Sequence, residues 1–294
     1  MNEKEEKAIK RLQTASEMSL MYYKKPLVIT YSGGKDSAVL LDLAERSGIL
    51  FEVIHSHTTA DAPETVYHIR NEFRRLENQR IECKINYPMY KGKRVSMWSL
   101  IPQKGIPPTR IMRYCCAVLK ERYGKGRFIA TGVRWAESAK RKGRGIIEIP
   151  HSDKRKRIQL NSDNDDARRL FETCTLKAKR ICNPIIDWSD EDIWNYMSDQ
   201  KIKRNPLYDM GFDRVGCIGC PMVGTRIRLR EFYYWPKYKE HYLKTFDRMI
   251  KKNKRKKLQT SWKDAEEVYH WWMEDGVLPG QIEMKLDEIE EENM

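Results

Sequence analysis

Apolar positions near the start of the chain change period twice within a short distance. Ile9, Leu12, Ala15 and Met18 recur at helical spacing, which predicts a packing helix from Glu3 to Tyr23. Leu27-Val28-Ile29-Thr30 then reads as a strand, and the apolar run from Ala38 to Ala44 as a second helix. Leu50 to Ile54 predicts a second strand, followed by the polar turn His55-Ser56-His57-Thr58-Thr59-Ala60-Asp61. Pro63 opens a helix from Glu64 to about Leu76, since proline is tolerated in the first turn. Ile81 to Ile85 and Phe128 to Gly132 complete a set of four strands alternating with helices. That alternation predicts an α/β fold with a doubly wound, mostly parallel sheet, whose ligands bind beyond the carboxyl ends of the strands.

Farther along, Lys104 to Arg110 reads as a loop and Arg113 to Lys120 as the entry to a helix. The stretch from about 141 to 180 is polar and charged and predicts a mobile excursion with a short helix near Ala167 to Cys174. Order resumes at Asn183-Pro184-Ile185-Ile186-Asp187-Trp188, where Ser189 is the expected N-cap and Asp192 its near capping-box partner. After Gly216-Cys217-Ile218-Gly219-Cys220-Pro221, an aromatic, basic helical region runs to about Lys257, and a last helix is expected from roughly Trp262 to Asp275. The organisation expected is a nucleotide-binding α/β domain over residues 1–200 and a cysteine-containing, helical C-terminal extension over 201–294.

The turn between the first strand and second helix is the first candidate for chemistry. In Ser32-Gly33-Gly34-Lys35-Asp36-Ser37, the glycines permit backbone angles denied to other residues. The helix that follows aims unpaired N–H groups at the turn, and Lys35 adds a positive charge. The spacing departs from GxxxxGK[ST], so this is a different phosphate loop. Past the strand ending at Gly132, Arg134 is placed to grip a phosphate or sulfate through two parallel hydrogen bonds.

Charge adds an anionic partner to this picture. Lys and Arg number 56 against 42 acids, a net +14 over 294 residues. The basic residues gather at Lys140 to Arg144, Lys154 to Arg157 and Lys251 to Lys257, a patchiness suited to a nucleic-acid backbone. Trp235, Trp262, Trp271 and Trp272 fit base stacking in a binding protein and core packing in any other. The N-terminus has no apolar signal core and no run approaches a membrane span of about 18 residues, so a cytoplasmic protein is expected.

Seven cysteines in a reducing compartment point to metal or redox work. Cys217 and Cys220 form a CxxC, and Cys115 and Cys116 are the best candidates to complete a four-sulfur site. Vicinal ligands strain a compact tetrahedral zinc more than cluster iron, which favours [4Fe–4S], with zinc as the alternative. Cys174 and Cys182 are substitutes for the vicinal pair, and buried free thiols are the structural alternative.

Ser32 to Ser37, Pro63-Glu64-Thr65, Arg113-Tyr114-Cys115-Cys116 with Lys120, Thr131-Gly132-Val133-Arg134, Asn183 to Trp188 and Gly216 to Cys220 together resemble the PP-loop phosphoadenylyl-sulfate (PAPS) and adenylyl-sulfate (APS) reductase family of the iron–sulfur type. The resemblance implies an adenine nucleotide alpha-hydrolase-like fold. It implies an adenine nucleotide on Ser32, Gly33, Gly34, Lys35, Asp36 and Ser37, with help from Gly132 and Arg134, and [4Fe–4S] on Cys115, Cys116, Cys217 and Cys220. Two departures stand out: no cysteine follows Cys220, where those reductases carry a nucleophilic tail thiol, and His57-Thr58-Thr59 replaces their Asp-Thr-Gly. The pattern is similar to sulfur-inserting relatives such as the DNA phosphorothioation subunit. The leading expectation is therefore ATP-dependent sulfur transfer to a nucleic acid or nucleotide-like substrate. Lys35 neutralises pyrophosphate, Asp36 holds Mg²⁺ directly or through water, and the cluster or a persulfide on Cys174 or Cys182 presents sulfur from a donor or thiol-reductant protein. A sulfite-releasing reductase using a sulfonucleotide and a non-catalytic nucleotide- or nucleic-acid-binding regulator are the competing expectations.

Overall fold

The structure is a computed structural model and describes residues 2–139, 141–150, 158–160, 179–258 and 262–274. In chain order its elements begin with α1 (Glu3–Tyr23), β1 (Leu27–Thr30), α2 (Lys35–Arg46), β2 (Phe51–Ser56), α3 (Pro63–Asn78) and β3 (Glu82–Asn86). Next come β4 (Met89–Tyr90), β5 (Lys93–Arg94), α4 (Met97–Lys104), α5 (Tyr114–Leu119), β6 (Phe128–Ala130), β7 (Ile147–Ile149), β8 (Ile158–Leu160) and β9 (Arg180–Cys182). The helices α6 (Asp190–Asp199), α7 (Pro206–Asp209), α8 (Thr225–Tyr234), α9 (Pro236–Arg255) and α10 (Ala265–Met273) follow.

These elements form two compact units. The first takes Met1–His57, Asp61–Tyr87 and Arg122–Gly216; the second takes Thr58–Ala60, Pro88–Glu121 and the described residues from Cys217 onward. In the first unit a seven-stranded sheet has the order β3-β2-β1-β6-β9-β7-β8. Its first five strands are parallel, with Leu27 opposite Phe51 and Val28 opposite Ile129, while β7 and β8 add on antiparallel. The expected doubly wound, mostly parallel sheet is therefore present. Chain order reverses between β1 and β6, so the loops leaving these strands flank the crevice where such sheets bind ligands. The helix stripe foreseen near the N-terminus is real: Ala8, Leu12, Ala15 and Met18 of α1 are buried in the core with Leu27, Ile29, Val39 and Leu43. On the opposite face of the sheet, Val28, Ile54 and Ile129 pack together.

Two expectations need correction. The stretch expected as an excursion contributes β7, β8 and β9 to the sheet. Strands of three residues are too short for a two-residue period to stand out among surrounding lysines and arginines. The short helix expected near Ala167 to Cys174 lies outside the described residues. The last helix is shorter than expected, because the Asp264 side chain accepts the Glu267 N–H at 2.9 Å and caps it there.

The second unit is held by aromatic rings. Tyr242 of α9 lies 4.6 Å from Trp272 of α10, Phe246 lies 5.5 Å from the same indole, and Trp98 of α4 meets Tyr242 edge-on at 4.9 Å. Edge and tilted contacts of this kind contribute roughly 0.5–1.5 kcal/mol each beyond area burial. Trp235, Trp262, Trp271 and Trp272 are all buried here, so they are core residues and present no exposed platform for bases. No helix among the described residues is long and apolar enough to cross a membrane.

Candidate functional site

Three features of the first unit build the loop after β1. Gly33 sits at φ +75°, and a Cβ there would meet Ile69 Cγ1 at 3.0 Å, so both conformation and space call for glycine. Ser37 Oγ donates to the Gly34 carbonyl at 2.8 Å and accepts the Ser32 N–H at 3.2 Å, closing the loop on itself. Gly34 caps α2 without a side-chain acceptor, which leaves the helix start facing the loop. Within this frame the Lys35 N–H donates to the Tyr208 hydroxyl at 2.9 Å, and Asn205 Nδ2 donates to the Gly33 carbonyl at 3.0 Å. Gly132, just past β6, lets the neighbouring chain approach: a Cβ there would lie 2.9 Å from the backbone carbon and oxygen of Asp36.

Arg134 has a different place from the one expected. It is fully buried, and its three nitrogens are engaged by protein: Nε donates to Asp36 Oδ1 at 2.6 Å, Nη1 to the Trp188 carbonyl at 3.1 Å, and Nη2 to Asp190 Oδ1 at 2.8 Å. It therefore orients two carboxylates, where the sequence suggested a direct anion grip. Its surroundings explain the Asn183 to Trp188 motif. Thr131 Oγ1 donates to Asn183 Oδ1, Trp135 N–H donates to the Ile186 carbonyl at 2.8 Å, and Trp188 supplies the acceptor for Arg134. Asp187 points elsewhere, paired with Arg11 at 2.9 Å.

Lys35 completes a four-charge network. Its Nζ lies 3.0 Å from Asp190 Oδ1 and 3.4 Å from Asp36 Oδ1. The Lys35 ammonium, with the Arg134 guanidinium, holds the Asp190 carboxyl below its ordinary range. An anion entering the loop meets a lysine already balanced by carboxylates, so phosphate binding requires exchange of partners. Sequence reasoning missed Asp190, Tyr208 and Asn205 as parts of this site. Asp190 carries a weak signal, an acid in the first turn after the Ser189 cap; the other two carry none, because their partners lie far away in sequence.

The cysteines follow a second pattern. Cys115 and Cys116 lie on α5, Cys217 and Cys220 on the turn before α8, and all four belong to the second unit. Cys115 and Cys217 are buried, and Cys116 and Cys220 half-buried. The Cys115 thiol hydrogen-bonds Cys116, and Arg113 Nη2 lies 3.5 Å from Cys116 Sγ. The hydrogen bond from Cys115, with Arg113 and the Lys120 charge, lowers the Cys116 thiol. Cys115 moves upward, because it donates to Cys116, is desolvated, and faces Cys116, Cys217 and Cys220. Gly219 is the tightest point of the CxxC turn. At φ +70°, a Cβ would meet Phe232 at 2.7 Å, Trp272 at 2.9 Å and Tyr242 at 3.0 Å. Its N–H donates to Glu231 Oε2 at 2.6 Å, and the Tyr242 hydroxyl donates to the Ile218 carbonyl at 2.9 Å.

The two remaining sulfur candidates are not in this group. Cys182 lies in β9 with no exposed surface, its Sγ 3.9 Å from the Arg11 carbonyl in the core of the first unit. This burial counts against Cys182 as a sulfur carrier. Cys174 lies outside the described residues.

A doubly wound, mostly parallel sheet with a glycine-rich turn at its switch point is the architecture of a nucleotide-binding type of α/β fold. Residues 26–223 match the phosphoadenosine phosphosulfate reductase domain, and the chain belongs to that family. An uncharacterized protein of Methanocaldococcus jannaschii is 27% identical over 210 residues, which cover 68% of this chain and 37% of that protein. The chain thus spans well under half the length of that relative. Adenosine 5'-phosphosulfate reductase of Bacillus pumilus is 41% identical over 44 residues, 15% of this chain and 18% of that enzyme. The crystal structure of phosphoadenylyl-sulfate reductase from Candida auris, in a phosphate complex, aligns with TM-score 0.44 at 18% identity over 70% of this chain and 87% of that one.

Proposed function

We propose that this chain is an iron–sulfur enzyme that activates an acceptor with ATP and then transfers sulfur to it, the acceptor being a nucleic acid or a nucleotide-like molecule. The observation supporting this reading is that Cys115, Cys116, Cys217 and Cys220, from segments far apart in sequence, share the second unit and influence one another electrostatically, with Arg113 and Lys120 beside Cys116; in this structure no three of the four sulfurs lie within 4.8 Å of one another. Soft thiolate donors beside Arg113 and Lys120 suit an anionic cluster, since the cations offset its charge. Cys115, Cys116, Cys217 and Cys220 would hold a [4Fe–4S] cluster, which would supply redox and sulfide chemistry beside the Arg113 and Lys120 charges.

The residues of the first unit prepare the acceptor. An acceptor oxygen attacks the α-phosphorus of ATP, the bond to the bridging oxygen breaks, and pyrophosphate leaves with that electron pair. Lys35 and the N–H groups at the start of α2 take up the charge on the departing pyrophosphate. Asp36 and Asp190, oriented by Arg134, are the carboxylates able to hold Mg²⁺ directly or through water. A sulfur nucleophile then displaces AMP from the activated acceptor.

A cationic groove in the second unit supports a nucleic-acid acceptor. Lys93, Arg248, Lys251, Lys252 and Arg255 line it together with the half-buried Trp98, around a volume of about 690 Å³. Five cations match the needs of a strand that contributes phosphates, while Trp98 packs against Tyr238, His241 and Tyr242. The test is anaerobic purification with iron and sulfide quantification, followed by binding of ATP, APS and PAPS and by acceptor-dependent pyrophosphate release. Stoichiometric iron, a preference for ATP and pyrophosphate release that depends on added nucleic acid are expected. Sulfite released from PAPS or APS with a thiol reductant would replace this reading by a reductase. Nucleotide-dependent nucleic-acid binding without ATP consumption would replace it by a regulator.

A further inference from the structure

Two imidazoles and a carboxylate converge at the end of β2, apart from the four thiols and from the Lys35 network. His55, His57 and Asp61 each offer a ligand atom, and these atoms lie within 4.8 Å of one another. Metal–ligand bonds to such donors are about 2.0–2.2 Å, so modest side-chain rotation closes the three around one ion. The pattern has a local origin. His55 and His57 are two residues apart along an extended segment, which turns their side chains to the same side of the sheet. Asp61 reaches them from the segment that leads into α3.

The geometry around His55 goes beyond proximity. Its Nδ1 lies 3.0 Å from the Tyr31 backbone carbonyl, and a carbonyl can only accept, so Nδ1 carries the proton. The lone pair is thereby assigned to Nε2, and the ring is fixed by a backbone acceptor, an arrangement metal-bound histidines commonly use. His55 and Asp61 are buried, whereas His57 is half-buried and held by an edge contact to Tyr87 at 6.2 Å. Two histidines and one carboxylate suit a borderline divalent transition metal and leave coordination positions for water or an anionic oxygen.

We infer that His55, His57 and Asp61 form a binding site for a divalent transition metal, of the zinc(II) or iron(II) class, on the flank of the phosphate loop. The flank is set by two bonds: the Tyr31 N–H donates to the Ile54 carbonyl at 2.9 Å, and His55 donates to the Tyr31 carbonyl, one residue before Ser32. The site stands independently of whether the loop takes ATP or a sulfonucleotide.

The test is cobalt(II) titration of the full chain after chelator treatment, read by visible absorption and by metal content. Wild-type protein should bind cobalt at a site lacking thiolate-to-metal charge transfer, which separates it from any metal on the cysteines. His57→Ala and Asp61→Asn should each weaken that site by about tenfold or more, while circular dichroism and the thiolate-associated signal stay unchanged. His57 is half-buried and on a turn, so its removal leaves the core intact; His57→Cys should restore binding with a new charge-transfer band. Cobalt bound solely with thiolate signatures in the wild type, or equal affinity in wild type and His57→Ala, would overturn the site.

Discussion

Six consecutive residues, Ser32 to Ser37, make the glycine-rich loop after β1, whereas the thiols of the second unit come from Cys115-Cys116 and Cys217-Cys220, segments about 100 residues apart in the sequence. The loop closes on its own atoms through Ser37 and needs two glycine-dependent approaches, at Gly33 and Gly132. The cysteine turn is moulded from outside, with Gly219 pressed against Phe232, Trp272 and Tyr242. The loop's charges are also balanced differently. Lys35 and Arg134 are paired with Asp36 and Asp190, while the Cys116 thiol has Cys115, Arg113 and Lys120 as neighbours that favour its ionised form. The loop's backbone closes locally while its charges are paired by distant residues; the cysteine turn takes its shape from the rings packed around it.

That contrast predicts separable failures. The largest effect is expected for Cys217→Ser, which should abolish iron incorporation measured by metal analysis and leave ATP affinity by calorimetry unchanged. Gly219→Ala should destabilise the second unit by about 3 kcal/mol, combining left-handed backbone strain with overpacking against three rings. Limited proteolysis should show cleavage moving into the residues after Cys217 while the sheet persists. If nucleotide binding collapses as well, the two sites are not separable. Arg134→Ala strikes the other side of the comparison. It leaves Asp36 and Asp190 without their common partner and should cost about 2 kcal/mol by denaturant unfolding, less than a fully buried pair because both carboxylates reach solvent. ATP affinity should fall with it, and iron content should not.

The smallest effect concerns pH. Lys35 and Arg134 depress the folded-state pKa of Asp190, so its ionised form favours the folded chain. That contribution is fully present above the ordinary aspartate value of about 4 and fades as pH falls through the lower folded value. Asp190→Asn should therefore lower stability modestly near neutrality and flatten the profile below about pH 4, where mutant and wild type converge. A mutant with the wild-type acid slope would show that Asp190 does not pair with Lys35 in solution.

Most of the sheet was legible because its signals are local. The β1 and β2 runs, the Pro63 helix start and the Ser189 cap each depend on residues within one turn or one strand of one another. The loop shared that property, since glycines, lysine and helix start are contiguous. His55 and His57 were visible as a polar turn, and their two-residue spacing in an extended segment was a sign that they face together. By contrast, β7 and β8 were hidden by their brevity within a basic stretch. Arg134 was read as an anion ligand because a guanidinium past a strand end usually faces the crevice; its burial depends on Trp188 and Asp190, contributed by a later motif.

What the sequence determined by itself was the alternation of strands and helices, the position of the glycine-rich loop after β1 and the cysteine pairs on offer. These follow from periodicity, backbone permissiveness and side-chain chemistry, all of which act over a few residues. Tertiary structure decided which charges meet and which groups remain reachable. It turned Arg134 from a ligand into an orienting residue, withdrew Cys182 into the core and committed the tryptophans to packing. The physical reason is that desolvation and ion pairing are properties of surroundings, and the surroundings of each of these residues are assembled from segments far away along the chain.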